Sequence, residues 1–256
     1  MIDIHSHILP GVDDGAQTLE HSVEMAKAAV EDGIHTIIAT PHHQNGKYNN
    51  DKHSILHQVG TLNENLKNYD IPLTVLPGQE TRIHGDMIDS LQADEILSLT
   101  NQGKYIFVEF PSDAVPRYSK QLLFDIQLEG YQPIIVHPER NRQIIQHPSL
   151  LYNMVSRGAY TQITAASLTG RFGKNIKKFT HQLIEANLTH LIASDAHNTT
   201  SRGFCMTDAY DVLRENYGSS MVYLFAENAA YLVEGEGLAA DTPLEIKKKK
   251  KLLGLF

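Results

Sequence analysis

Seven short, strongly apolar segments recur along the 256 residues, at 2–5, 36–40, 73–76, 105–108, 133–136, 160–164 and 190–193. Amphipathic patterns fill the intervals. Leu19, Val23, Ala26 and Val30, then Ile55, Val59, Leu62 and Leu66, repeat at the three- and four-residue spacing of one helix face. Leu122, Leu123 and Ile126 do the same, as do Ala209, Val212 and Leu213, and 221–233 reads as mostly helical. Turn formers such as Pro10-Gly11 and Pro77-Gly78 separate the segments. Short buried-type strands alternating with helices make parallel βαβ units, an α/β fold. Such strands are covered on both faces, in either an open doubly wound sheet or a closed barrel.

The polar residues that come after the apolar runs distinguish these two. The first run ends in His5-Ser6-His7, where residues two apart on a strand project to one face. Five others are followed at once by a side chain able to bind a metal: His42, Glu80, Glu109, His137, and Asp195 with His197. An open sheet would spread these strand ends along an edge. A parallel barrel brings them to one mouth, where active sites of that architecture lie. Convergence therefore favours barrel-like closure. A single His or Glu after a strand is an ordinary turn residue, but six in register are not explained that way. Asp14 is ambiguous by pattern, because Asp13-Asp14-Gly15 is also a normal turn sequence.

The donors are imidazole and carboxylate with no thiolate, which excludes a structural cysteine-zinc site and suits Mn, Fe or Zn in hydrolysis. Nine donors are too many for one ion and could serve two or three. Clustered divalent ions suit phosphoryl displacement, which also needs a cation on the non-reacting oxygens. Arg140 and Arg202 are the candidates. His42 could also assist the reaction, although as a ligand it would be neutral and a poor proton donor.

Composition limits the alternatives. A net charge of −8 argues against a general nucleic-acid binder. One cysteine suits a reducing compartment, and the N-terminus has no basic and apolar leader, so a cytoplasmic protein is expected. A cysteine-dependent phosphatase needs an arginine six residues after its nucleophile; six after Cys205 stands Asp211. Gly235-Glu236-Gly237 follows no convincing strand, and Gly170–Lys174 lacks P-loop spacing. No linker divides the chain, so one domain is expected over 1–245. A basic and apolar tail at 246–256 carries Lys247–Lys251; it reads as solvated, or as a weak contact with an anionic membrane.

The ordered motifs Met1–His7, Val12-Asp13-Asp14-Gly15, His137-Pro138-Glu139-Arg140 and Ser194–Asn198 resemble the polymerase-and-histidinol-phosphatase (PHP) superfamily. Within it the chain is similar to the bacterial manganese-dependent tyrosine phosphatases of the CpsB/CapC group, from Met1 to about Val233. That resemblance implies a distorted (β/α)7 barrel with a three-metal site, Mn2+ first and Fe or Zn as alternatives. It implies that His5, His7, Glu80 and Asp195 hold one ion, that Glu80 bridges to a second bound by Glu109 and His137, and that Asp14, His42 and His197 hold a third. Arg140 and Arg202 match the phosphate-gripping arginines. The implied substrates are phosphotyrosines of a cognate bacterial tyrosine kinase controlling extracellular polysaccharide, and other phosphoproteins. The rival readings are a small-molecule phosphatase such as histidinol-phosphate phosphatase, and a metal-binding regulatory domain without turnover.

Overall fold

The computed structural model describes residues 1–246; residues 247–256, with the lysine run, lie outside the described residues. Among the described residues are nine strands: β1 (Ile2–Ser6), β2 (Thr36–Ala39), β3 (His42–His43), β4 (Thr74–Pro77), β5 (Glu80–Arg82), β6 (Tyr105–Glu109), β7 (Gln132–Val136), β8 (Tyr160–Thr164) and β9 (Leu191–Ala193). The helices are α1 (Leu19–Glu31), α2 (Lys52–Asn68), α3 (Met87–Gln92), α4 (Ser119–Leu128), α5 (Arg142–Gln146), α6 (Ser149–Val155), α7 (Ala165–Thr169), α8 (Lys174–Glu185), α9 (Met206–Tyr217) and α10 (Ser219–Glu234). Every strand pair is parallel.

Pairing is divided between a three-stranded sheet, β1-β2-β4, and a six-stranded one, β3-β5-β6-β7-β8-β9. The runs at 36–40 and 73–76 each continue past a break into the second sheet, so nine strands make seven staves. Pro41, which has no N–H to give a ladder, marks the first break. Gly78 marks the second, where a Cβ would lie 2.6 Å from Ile38 Cγ2. On the other side β1 meets the end of β9: Asp195 N–H donates to His5 O and His7 N–H to Ala196 O, both at 2.9 Å. The staves follow one another round a distorted barrel whose ladder is split between the two sheets.

Alternation assigns the faces. Along β6, Tyr105 and Phe107 pack inward with Ile4, Ile38, Ile134, Val136 and Leu191. Ile106 and Val108 point outward to the helix layer with Ile37, Ile135, Ile163 and Ile192. Each strand is apolar on both faces because both are covered. α10 and the segment after it form the floor: Ala229, Leu232 and Leu238 join the inner cluster, and Asn228 Nδ2 donates to His190 O (2.9 Å) and Ala239 O (2.9 Å).

The helices and β1 also depart from the sequence reading. The helices α5 and α7 were not expected; both are only five residues long, too short to show a periodic face. And β1 does not alternate strictly. Asp3 pairs with Ile37 and Ser6 with Ala39, so β1 has one residue more than β2 over that interval. This bulge lets Ile4 join the inner cluster while the neighbouring His5 ring also lies 5.0 Å from that of Phe107.

Candidate metal centre

The mouth of the barrel is built from backbone that presents side chains at strand ends. His5 and His7 come from the end of β1, His42 from β3 and Glu80 from the first residue of β5. Both His42 and Glu80 come after an apolar run, and each lies on a short strand of its own, in register with the other. Glu109 ends β6, while His137 and Asp195 come directly after or close behind β7 and β9. The last two adopt left-handed backbone, with φ of 36° and 51°. Non-glycine residues there hold about 1–2 kcal/mol of strain, which persists where the surroundings over-determine the geometry. β8 supplies no donor to the mouth. Its Gln162 stands behind His5 instead.

All nine candidate donors converge. His7, Asp14, His42 and His197 form one set of side chains whose donor atoms lie within 4.8 Å of one another; His5, His7 and Glu80 form another, and His42, Glu80 and Glu109 a third. Asp195 Oδ1 lies 3.5 Å from His5 Nε2 and 3.3 Å from His7 Nε2. His137 Nε2 lies 2.8 Å from Glu80 Oε1. The sets overlap and share His7, His42 and Glu80.

The outer nitrogens are fixed. His5 Nδ1 meets Gln162 Oε1 at 2.9 Å, His7 Nδ1 meets Asp13 Oδ2 at 2.6 Å, and His197 Nδ1 meets the Asp195 carbonyl at 3.0 Å. Each contact favours a proton on Nδ1 and turns the Nε2 lone pair to the interior, as metal-binding histidines require. The Nε2 atoms of His5 and His7 then stand 3.3 Å apart. His42 Nδ1 and Glu80 Oε2 are 2.8 Å apart but not aligned as a hydrogen bond, and with His197 Nε2 they are buried polar atoms without a hydrogen-bond partner. Buried polar atoms are normally satisfied, so these orphans fit a cation between them.

Electrostatics point the same way. Burial alone would raise the Glu80 carboxyl, yet His42, His5 and His137 hold it well below the usual range. Burial would raise Asp195 too, and Arg140 and His5 hold it well below. Burial and nearby Glu80 push Glu109 up to about 7. Burial disfavours charge on His42 and His7, but Glu80 and Asp14 carry His42 to about 10, and Asp13 carries His7 well above its ordinary value. Burial, with Arg140 in one case and His7 in the other, pushes His137 and His197 down to about 4. The carboxylates thus demand positive charge strongly enough to hold protons on two buried imidazoles.

Arg140 Nη2 and Arg202 Nη2 both reach Asp195 Oδ2, at 2.7 and 3.1 Å. Arg140 also lies over the Phe172 ring, 5.5 Å from its centroid. Both arginines line a cleft of about 300 Å3 with His42, Glu109, His137 and Asp195. A second cleft of about 520 Å3 is bordered by Asp14, His197, Lys47 and Tyr48.

Sequence reasoning missed three supporting residues. Asp13, read as half of a turn, orients His7 and accepts from the backbone of Gly15 (2.9 Å) and His42 (3.1 Å). Gln162 sits in an apolar run with nothing to mark it. Arg82 grips Glu109 with two bonds, Nε to Oε2 at 3.0 Å and Nη2 to Oε1 at 2.9 Å. Its one available signal is the Glu80-x-Arg82 spacing, which puts both side chains on one face of a strand.

Comparison with known proteins places this geometry. The family model for capsular polysaccharide synthesis, CpsB/CapC, matches residues 1–234. The tyrosine-protein phosphatase YwqE of Bacillus subtilis is 51% identical over 256 residues, the whole of both chains. The putative tyrosine-protein phosphatase CapC of Staphylococcus aureus is 38% identical, again over the whole of both. A solved structure from work on YwqE of Bacillus subtilis and CpsB of Streptococcus pneumoniae, described as unique metal-dependent tyrosine phosphatases, superposes with a TM-score of 0.95. It is 51% identical and covers 97% of this chain and 100% of its own. The chain belongs to the CpsB/CapC family.

Proposed function

We propose that this protein is a metal-dependent protein-tyrosine phosphatase. Its substrates are phosphotyrosines of a cognate bacterial tyrosine kinase and of other phosphoproteins, in the cytoplasm, in the control of capsular or extracellular polysaccharide. The observation that carries the reading is the meeting of nine imidazole and carboxylate donors with two arginines at one barrel mouth. The names of the full-length relatives support it. The donor chemistry favours Mn2+, with Fe or Zn as alternatives.

When bound, divalent ions bring the ionisation of water near neutrality and offset charge on the transferring phosphoryl group. The chain's own residues do the positioning. His5, His7, Asp14, His42, Glu80, Glu109, His137, Asp195 and His197 are the residues that would hold those ions. Arg140 and Arg202, with N–H groups to spare beyond their bonds to Asp195, orient the non-reacting phosphoryl oxygens in the smaller cleft. The leaving group is a phenolate with a conjugate-acid pKa of about 10, so expulsion needs little general-acid help. His137 and His197, held neutral, have no acidic role to play.

The relatives matched over the whole chain are named tyrosine-protein phosphatases, which favours a phosphoprotein substrate over a metabolite. The deciding experiment compares a phosphotyrosyl peptide with histidinol phosphate at equal Mn2+. A higher kcat/KM for the peptide is expected. A strong preference for histidinol phosphate overturns the substrate assignment, and no hydrolysis of any aryl phosphate with excess Mn2+ overturns the enzymatic one.

A further inference from the structure

Arg82 ends β5, two residues after Glu80 on the same strand face, and pairs directly with Glu109 of the neighbouring β6. Its guanidinium takes one lone pair from each Glu109 oxygen in a two-pronged contact. A carboxylate has a further lone pair on each oxygen. Those of Glu109 remain for the interior, where Oε2 lies 3.7 Å from His42 Nδ1. Both partners are largely buried, with 23% and 9% of the side chains exposed. The fork therefore fixes the plane of the carboxylate as well as its position. In the same centre Gln162 fixes the ring of His5 and Asp13 that of His7. Arg82 is the third such support, and the only one of the three to act on a carboxylate.

We infer that Arg82 is a positioning residue for the metal centre, acting through Glu109 to set the affinity of one bound ion rather than by gripping phosphate. Arg140 and Arg202 approach Asp195, whereas Arg82 spends two donors on Glu109 and does not border the smaller cleft that those two arginines line. A lysine cannot reproduce the contact, because an ammonium is a point donor without a planar fork. Removing a group that orients a ligand typically weakens metal binding by about 10–100-fold.

The inference rests on the metal reading above, and the test separates the two. Mn2+ is titrated calorimetrically into chelator-treated wild type, Arg82→Ala and Arg82→Lys, and KM for phenyl phosphate is measured at saturating Mn2+. Both variants should bind one ion about 10–100-fold more weakly, with Arg82→Lys nearer wild type. Saturating metal should restore KM to the wild-type value. If wild type binds Mn2+ and the variants bind it equally or more tightly, the role of Arg82 is refuted. A raised KM at saturating metal with unaltered affinity refutes it in favour of phosphate contact. Should Arg82→Ala fail to fold, Arg82→Lys supplies the same readings. A wild type that binds no divalent ion refutes the metal reading itself.

Discussion

At the scale of single residues, the mouth leaves little room for change. A Cβ on Gly15 would stand 2.0 Å from the carbonyl oxygen of His7 and 2.5 Å from its Cβ. The loop carrying Asp13 and Asp14 passes so close to β1 that only glycine fits. Gly15→Ala should lower stability by about 1–3 kcal/mol, as overpacking against unyielding backbone does, and displace Asp14 from the donor set it shares with His7, His42 and His197. Thermal denaturation with and without Mn2+ checks this; a melting temperature equal to wild type in both would show that the loop can retreat. Arg140 differs in kind, since it is tied to the centre through its ion pair with Asp195. Arg140→Ala should reduce turnover of a phosphotyrosyl peptide by about 10²-fold, the scale of losing one preorganised donor. Metal content by elemental analysis should stay at the wild-type level, and an unchanged rate would remove Arg140 from the reaction.

At the scale of elements, the two ends of the staves behave differently. The mouth carries the strained His137 and Asp195; the floor carries His190, buried just before β9 with Nδ1 accepting from Thr161 N at 3.1 Å. Burial pushes this imidazole down to about 4, so it is neutral in the fold. In the unfolded chain it protonates near 6.5. As pH falls the unfolded state takes up the proton first, so stability is lost between about pH 6.5 and 4, by up to about 3 kcal/mol. Urea unfolding at pH 7 and pH 5 should show a smaller acid loss for His190→Gln than for wild type; equal losses would mean that His190 does not stay neutral. The elements were legible where they were long or bounded by apolar runs. The helix expected over 221–233 appears as α10, and the helix carrying Ile55, Val59, Leu62 and Leu66 as α2, with those four residues buried. The breaks in the second and third staves were not legible, because register between sheets is decided by long-range packing at Pro41 and Gly78. The donors stood out because a His or Glu after an apolar run is conspicuous. Gln162 and Arg82 did not, because a supporting side chain is defined by its partner across the barrel and not by its neighbours in sequence.

At the scale of the whole molecule, the mouth and the last described residues lie on opposite sides. Leu244 N–H donates to Ala186 O at 2.8 Å and Asn187 Nδ2 to Thr242 O at 3.0 Å, next to the segment that enters β9 from the floor. Removing residues 247–256 should therefore leave turnover of a small aryl phosphate unchanged; loss of that activity would tie the segment to the catalytic structure. Among the described residues no helix is long and apolar enough to cross a membrane. The barrel gathers its donors from six of seven staves, so metal binding should also stabilise the fold. At 100 times the dissociation constant, Mn2+ should add about 2.7 kcal/mol per ion that binds only the native state. The centre itself is tested most directly by removing all metal with a chelator, then adding Mn2+ stepwise while measuring bound ions by calorimetry and phosphate released from a phosphotyrosyl peptide. The nine-donor centre predicts no turnover without metal, recovery on addition, and more than one ion bound per chain when activity is complete. Full turnover by the metal-free protein, or recovery complete with no ion bound, would contradict it.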